Sequence, residues 1–156
     1  MLSKSCTYGI WAVLYLSSVE GKEYVPIREI SDALKIPFHF LTKILQLLSR
    51  AKIVETLRGA RGGVQLYRSP QRITLREVIE SIDGPGLFIN CAFGLPECGE
   101  DSPCPMHSEW KNVKNEIKRI CEDTTFYDLS IRANDSKWIN NQYLPGINNF
   151  LSSKSI

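Results

Sequence analysis

No apolar run in this sequence reaches the roughly 18 to 20 residues that a membrane-spanning helix needs. Its opening Met1-Leu2-Ser3-Lys4-Ser5-Cys6 lacks the basic segment, apolar core and small-residue cleavage site of a secretory leader. A cytoplasmic protein without a membrane partner is therefore expected. Histidine is scarce, with His39 and His107 the two in 156 residues. There is no Ser-His-Asp candidate, no phosphate-binding loop and no Cys-x2-Cys redox pair. General acid–base catalysis lacks obvious participants, so the chain does not read as an enzyme.

What remains is a chain of ordinary globular composition, 43% hydrophobic and 23% charged. Its length suits one domain plus an appendage for association or sensing. The formal net charge is +2, but it is unevenly spread. Residues 1–72 carry 11 Lys and Arg against 5 Asp and Glu, a net of +6; residues 73–156 carry 8 against 12, a net of −4. A basic front and acidic rear suit a molecule that offers one end to a polyanion, although uneven surface decoration would give the same numbers.

The pattern along the chain is mostly helical. Ser3 to Ser18 is apolar nearly all round and should be buried on several sides. Ile27, Ile30 and Leu34 mark a short helix, and Ile36-Pro37 breaks it. Leu41, Ile44, Leu45 and Leu48 then give helical spacing over about 38–51. From Lys52 the period changes: Ile53–Leu57 and Val64–Tyr67 flank the glycine-rich Arg58–Gly63, which predicts a β-hairpin. Thr74 and Glu77 have capping-box spacing at the start of a helix that stops at Gly84-Pro85. Residues 84–107 show no period, and Trp110, Val113, Ile117, Ile120 and Cys121 mark a further amphipathic helix.

Helix, helix, turn, helix and a hairpin with a basic tip is the order of a winged helix-turn-helix. The expected fold is mainly α with a small β-hairpin, plus a long dimerisation helix. The second helix of such a unit enters the major groove, which points to Phe38, His39, Thr42, Lys43 and Gln46. Thr42 and Gln46 suit base edges, while His39 and Lys43 suit phosphate or guanine. Arg58, Gly59, Arg61 and Gly62 at the wing tip would approach phosphates or the minor groove. One of Phe38 and Phe40 is expected to serve the core instead.

Cys91, Cys98, Cys104 and His107 form C-x6-C-x5-C-x2-H. Three thiolates and an imidazole make a soft, metal-competent set. Gly94, Gly99, Pro96, Pro103 and Pro105 supply the turns that convergence requires. An iron–sulfur cluster, a structural Cys3His zinc and a metal-free thiol or partner switch all fit. Cys6 and Cys121 read as small buried apolar residues.

The chain resembles the IscR-like (BadM-type) iron–sulfur-cluster regulators, which are dimeric winged-helix repressors and activators. The resemblance spans about 1–129. It rests on Leu2-Ser3-Lys4 with Tyr8, Ile27-Arg28-Glu29-Ile30-Ser31, Ile36-Pro37, Phe40-Leu41, the run Val54 to Gly63, and Thr74-Leu75-Arg76-Glu77-Val78-Ile79. It implies an iron–sulfur cluster, [2Fe-2S] rather than [4Fe-4S], held by Cys91, Cys98, Cys104 and His107. The first gap is one residue longer than the family pattern. Some relatives take a fourth ligand, a carboxylate, from the partner's first helix; Tyr8 stands at the matching position.

The implied organisation is a DNA-binding domain over 1–83, a cluster-binding loop over 84–107, a dimerisation helix over 108–130 and a tail over 131–156. A homodimer would read a pseudo-palindromic operator on double-stranded DNA, with affinity switched by the cluster. The rivals are the same regulator with zinc or a thiol switch, and a protein-binding winged helix that does not contact DNA.

Overall fold

The computed structural model describes residues 1–19, 24–59 and 62–135. Arg61 of the wing tip and residues 136–156 of the expected tail lie outside the described residues.

The first helix, α1 (Lys4–Ser18), begins where Ser3 accepts the Cys6 amide at 3.0 Å. Its residues Ala12 to Leu16 are all buried, as an all-round apolar sequence requires. At Gly9 a side chain would collide with Ile82, since a Cβ there would stand 2.2 Å from the Ile82 Cδ1. Glycine thus permits the close approach of α1 to α4 (Leu75–Asp83). Asp83 closes the same contact at its other end, accepting hydrogen bonds from both the amide and the hydroxyl of Ser3.

Helices α2 (Ile27–Leu34) and α3 (Phe38–Arg50) are joined by a three-residue turn. Lys35 adopts the left-handed conformation at φ 54°. The buried Ser31 hydroxyl donates to the Ile36 carbonyl at 2.6 Å, and the Ile36 amide returns to the Ser31 carbonyl at 3.1 Å. Pro37 then precludes helix continuation and stands as the first cap of α3. Leu41, Ile44, Leu45 and Leu48 all face the core.

The hairpin consists of β1 (Val54–Leu57) and β2 (Gly63–Leu66), antiparallel with Val54 opposite Leu66 and Leu57 opposite Gly63. A feature absent from the sequence reading is a third, one-residue rung: Val25 pairs with Val64 through amide–carbonyl bonds of 2.9 and 2.8 Å. The wing is thereby stitched to the segment before α2. Gly63 makes this possible, because a Cβ there would lie 2.3 Å from the Val25 carbonyl oxygen.

A single turn of 3-10 helix (Pro70–Arg72) leads into α4. Its expected capping box is formed: Thr74 Oγ1 accepts the Glu77 amide and Glu77 accepts the Thr74 amide. The aperiodic segment after α4 contains one short helix, α5 (Gly86–Ile89), whose Phe88 is buried with Cys6, Ile79 and Cys121. The two cysteines expected in the interior are there. Burial, followed by the nearby Asp83, pushes the Cys6 thiol up to about 12, so it is held protonated.

The helix expected over 108–130 is two helices, which corrects that boundary. Helix α6 (His107–Asp123) ends at an extended Thr124, and α7 (Phe126–Asp135) starts from a second capping arrangement. Asp128 accepts from the amide and hydroxyl of Thr125, while the Asp128 amide returns to Thr125 Oγ1 at 3.1 Å. The competing local signal, Thr125-x-x-Asp128, outweighed the continuing helical period. The break lets the chain turn back. Thr74 and Thr125 form a β-bridge, the Phe126 amide bonds the Ile73 carbonyl at 2.9 Å, and the Phe126 ring is fully buried. Residues 131–135, expected as tail, are the last part of α7.

Candidate nucleic-acid interface and metal centre

Along α3, His39, Lys43 and Gln46 are exposed and follow a four-then-three spacing, so they share one outward face. Thr42 is half-buried, and its hydroxyl donates to the Phe38 carbonyl at 2.8 Å. Phe38 and Phe40 both stay out of the fully buried core, whose place at this turn is taken by Leu41. Phe38 is half-buried, with its ring against His39 and under the Arg28 guanidinium, 5.3 Å from the ring centroid. Phe40 packs edge-on to Tyr8. Arg28 is a residue that the sequence reading did not assign: it lies on α2, is exposed, and stands beside the N-terminus of α3. No local pattern marked it, because its place beside Phe38 follows from how α2 packs on α3.

The wing supplies a second basic element. Arg58 is exposed at the end of β1, Gly59 takes φ 110°, and the Gly62 amide closes the tip on the Gly59 carbonyl at 2.9 Å. That conformation is open to glycine and strained for other residues.

The loop between α5 and α6 brings Cys91, Cys98 and Cys104 together, with their three Sγ atoms within 4.8 Å of one another. Cys91 and Cys104 Sγ are 3.6 Å apart, far beyond a disulfide bond, and all five cysteines are free. His107, the first residue of α6, places Nδ1 3.2 Å from Cys98 Sγ. The three predicted thiols therefore converge, with the His107 imidazole beside Cys98, although 15 residues lie between Cys91 and His107.

Hydrogen bonds from α6 pin this loop. Trp110 Nε1 donates to the Asn90 carbonyl at 2.9 Å, and Lys114 Nζ donates to the Ile89 carbonyl at 3.0 Å. The acceptors are the two residues before Cys91. Glu100, between the second and third cysteines, ion-pairs with Lys111. The Lys111 ammonium holds the Glu100 carboxyl below its ordinary range. These supporting residues escaped the sequence reading because a donor to a distant carbonyl leaves no local pattern.

The thiols are electrostatically unequal. Hydrogen bonding by the Phe93 amide, aided by Leu95 and the neighbouring thiols, draws Cys91 down to about 7. Burial pushes Cys104 up. A set of three soft donors and one imidazole, one thiol already near its thiolate form, fits a thiophilic metal or an iron–sulfur group. The buried His107 Nε2 has no hydrogen-bond partner, an orphaned polar atom on the far side of the ring from the thiols. Among the described residues, no helix is long and apolar enough to cross a membrane.

Comparison with known proteins places the chain in a family. The family model described as Rrf2, iron-dependent transcriptional regulator, matches residues 2–131. The helix-turn-helix-type transcriptional regulator BadM of Rhodopseudomonas palustris is 35% identical over 85% of this chain and 79% of its own. Among solved structures, CymR, the global cysteine regulator of B. subtilis, superposes with a TM-score of 0.73 at 24% identity, covering 85% of this chain and 97% of CymR. T. potens IscR gives 0.68 at 24% identity, covering 85% and 88%. The latter two likenesses establish the winged-helix fold.

Proposed function

Since this chain belongs to the Rrf2 family of DNA-binding transcriptional regulators, we propose that its operator affinity is set by an iron–sulfur group held by Cys91, Cys98, Cys104 and His107. One observation carries the reading: three thiols converge, with the His107 imidazole beside one of them, in the loop that joins the DNA-binding half to α6. When bound, such a group supplies a redox couple and a bond set that oxidants attack.

The protein's own residues do the rest. His39, Thr42, Lys43 and Gln46 on α3, with Phe38 at its start, face base edges and phosphates. Arg58, Gly59, Arg61 and Gly62 bring the wing to the backbone or minor groove. Helix α6 joins two copies: Cys121 is its one buried residue, while Val113 and Ile120 are left 45% and 47% exposed on one chain. Two-fold association would set two recognition helices about one DNA turn apart over a pseudo-palindrome. Trp110 and Lys114 tie the donor loop to α6, and Asp83 ties the end of α4 to Ser3. A change in loop shape thus has a path of direct contacts to α1. A difference in operator affinity of ~1–3 kcal/mol between the loaded and emptied states is the usual size of such a coupling.

Zinc is the second reading, favoured by the donor chemistry, since three thiolates and an imidazole are an accepted zinc set. Iron, sulfide and zinc content of anaerobically purified protein, with its visible spectrum, decides between them. Matched iron and sulfide, with absorbance lost in Cys98→Ala, supports the cluster. Stoichiometric zinc replaces it, and no metal at all removes both.

A further inference from the structure

We propose that Glu100 is the positioning carboxylate of the metal centre: it holds the His107 ring with Nδ1 turned toward the three thiols, and Lys111 holds Glu100 in turn. The inference rests on the metal-binding reading of the loop, but it assigns roles to two residues outside the donor set.

A neutral imidazole carries one N–H and one lone pair, and only the nitrogen with the lone pair can ligate. In this chain Nδ1 lies 3.2 Å from Cys98 Sγ, on the side of the thiols. For Nδ1 to ligate, the proton has to sit on Nε2, which is buried and has no hydrogen-bond partner. The carboxylate that can receive it is at hand: Glu100 Oε1 lies 3.8 Å from Nε2, just beyond hydrogen-bonding reach. Among the described residues, Glu100 is the acid within ion-pair distance of His107.

The position of Glu100 is itself fixed. His107 and Lys111 are four residues apart on α6 and so lie one above the other on the same face. The same Glu100 oxygen that faces the imidazole also pairs with Lys111 Nζ. A carboxylate in the loop thus spans one helical turn, and a chain of contacts runs Lys111, Glu100, His107, Cys98. Glu100 stands two residues after Cys98, with the Gly99 amide turned onto the Ser102 carbonyl at 3.4 Å. The loop that delivers the second thiol also delivers the partner of the imidazole.

A carboxylate behind a ligating histidine fixes its tautomer and orientation and raises its basicity; removing such a group commonly costs 10–100-fold in metal affinity. Two readouts test the role. In metal-free protein labelled with 15N-histidine, the ring shifts of His107 report the tautomer. The Nε2–H form should dominate in the wild type and give way to a mixture in Glu100→Ala. In anaerobically reconstituted protein, Glu100→Ala should raise the midpoint potential and speed iron loss to a chelator about tenfold. Lys111→Met, which frees Glu100 from its ion pair, should speed iron loss by less. Glu100 is exposed, so its replacement leaves the fold intact. An unchanged tautomer and unchanged potential in a fully loaded Glu100→Ala protein would overturn the role. Failure of the wild type to take up iron and sulfide overturns the functional reading instead, and the tautomer measurement then decides the Glu100–His107 relation by itself.

Discussion

The indole of Trp110 donates to the carbonyl of Asn90 at 2.9 Å, one residue before Cys91. A side chain on α6 thus fixes the backbone from which the first cysteine projects. Trp110→Phe keeps the ring and removes the donor, leaving the carbonyl to water. We expect about 1 kcal/mol less stability in the metal-free protein, read by thermal melting, together with faster metal release. A melting temperature and release rate equal to wild type would show that the loop is held elsewhere.

If the outward face of α3 and the wing tip divide the work of binding DNA as proposed, variants of the two should behave differently. Gln46→Ala should relax discrimination at one operator position by about 1–3 kcal/mol. Arg58→Ala should weaken binding to all sequences alike and reduce the salt slope by about 1. Titration of operator and scrambled duplexes at several salt concentrations separates the two. A wing variant that binds with unchanged salt dependence would remove Arg58 from the interface.

Val113 and Ile120 lie seven residues apart on one side of α6 and are exposed in the single chain. Replacing Val113 with Glu puts a charge into the proposed contact between copies. Sedimentation should then show a monomer with wild-type helical content, and operator affinity should fall. Dimers that persist in the Val113→Glu protein would move the interface to another face.

Gly63 and Gly9 respond differently to the same substitution. A methyl at Gly63 meets backbone, the Val25 carbonyl at 2.3 Å, which can move only by breaking the rung that anchors the wing. Gly63→Ala should cost about 1–3 kcal/mol, the usual range for overpacking, and should weaken DNA binding as well. At Gly9 the obstacle is the tip of the Ile82 side chain, which can rotate away. Gly9→Ala should cost less, and chemical denaturation of both variants would rank them.

Glu77 links acid stability to the start of α4. Burial raises its pKa, but hydrogen bonds from Arg68 and the Thr74 amide and the charge of Arg68 outweigh that and leave it lowered. A carboxylate with a lowered folded-state pKa contributes stability above its unfolded pKa, near 4.5, and loses it as the pH falls through the folded value. Glu77→Gln, which keeps an acceptor for the cap, should therefore flatten the acid limb of the stability curve and leave the region above neutral pH little changed in slope. Denaturant midpoints from pH 3 to 7 make the comparison.

Much of this molecule was legible in the sequence because its signals are local. Ile36-Pro37 and the apolar spacing of Leu41 to Leu48 fix the turn and recognition helix through backbone sterics and a 3.6-residue period. Thr74 and Glu77 fix a cap through a hydrogen-bond pattern three residues long. The spacing of Cys91, Cys98, Cys104 and His107 announced soft donors, since few other uses need three thiols and an imidazole so close. What only the tertiary structure decided are relations between residues far apart. The Val25–Val64 rung, the Ser3–Asp83 clasp and the break at Thr124 that returns α7 to the core depend on which surfaces meet. So does the stacking of Arg28 over Phe38, and so does the line from Lys111 through Glu100 to His107. Packing free energy is summed over contacts that no local pattern records, so the sequence named the four donors while the fold selected the residues that hold them.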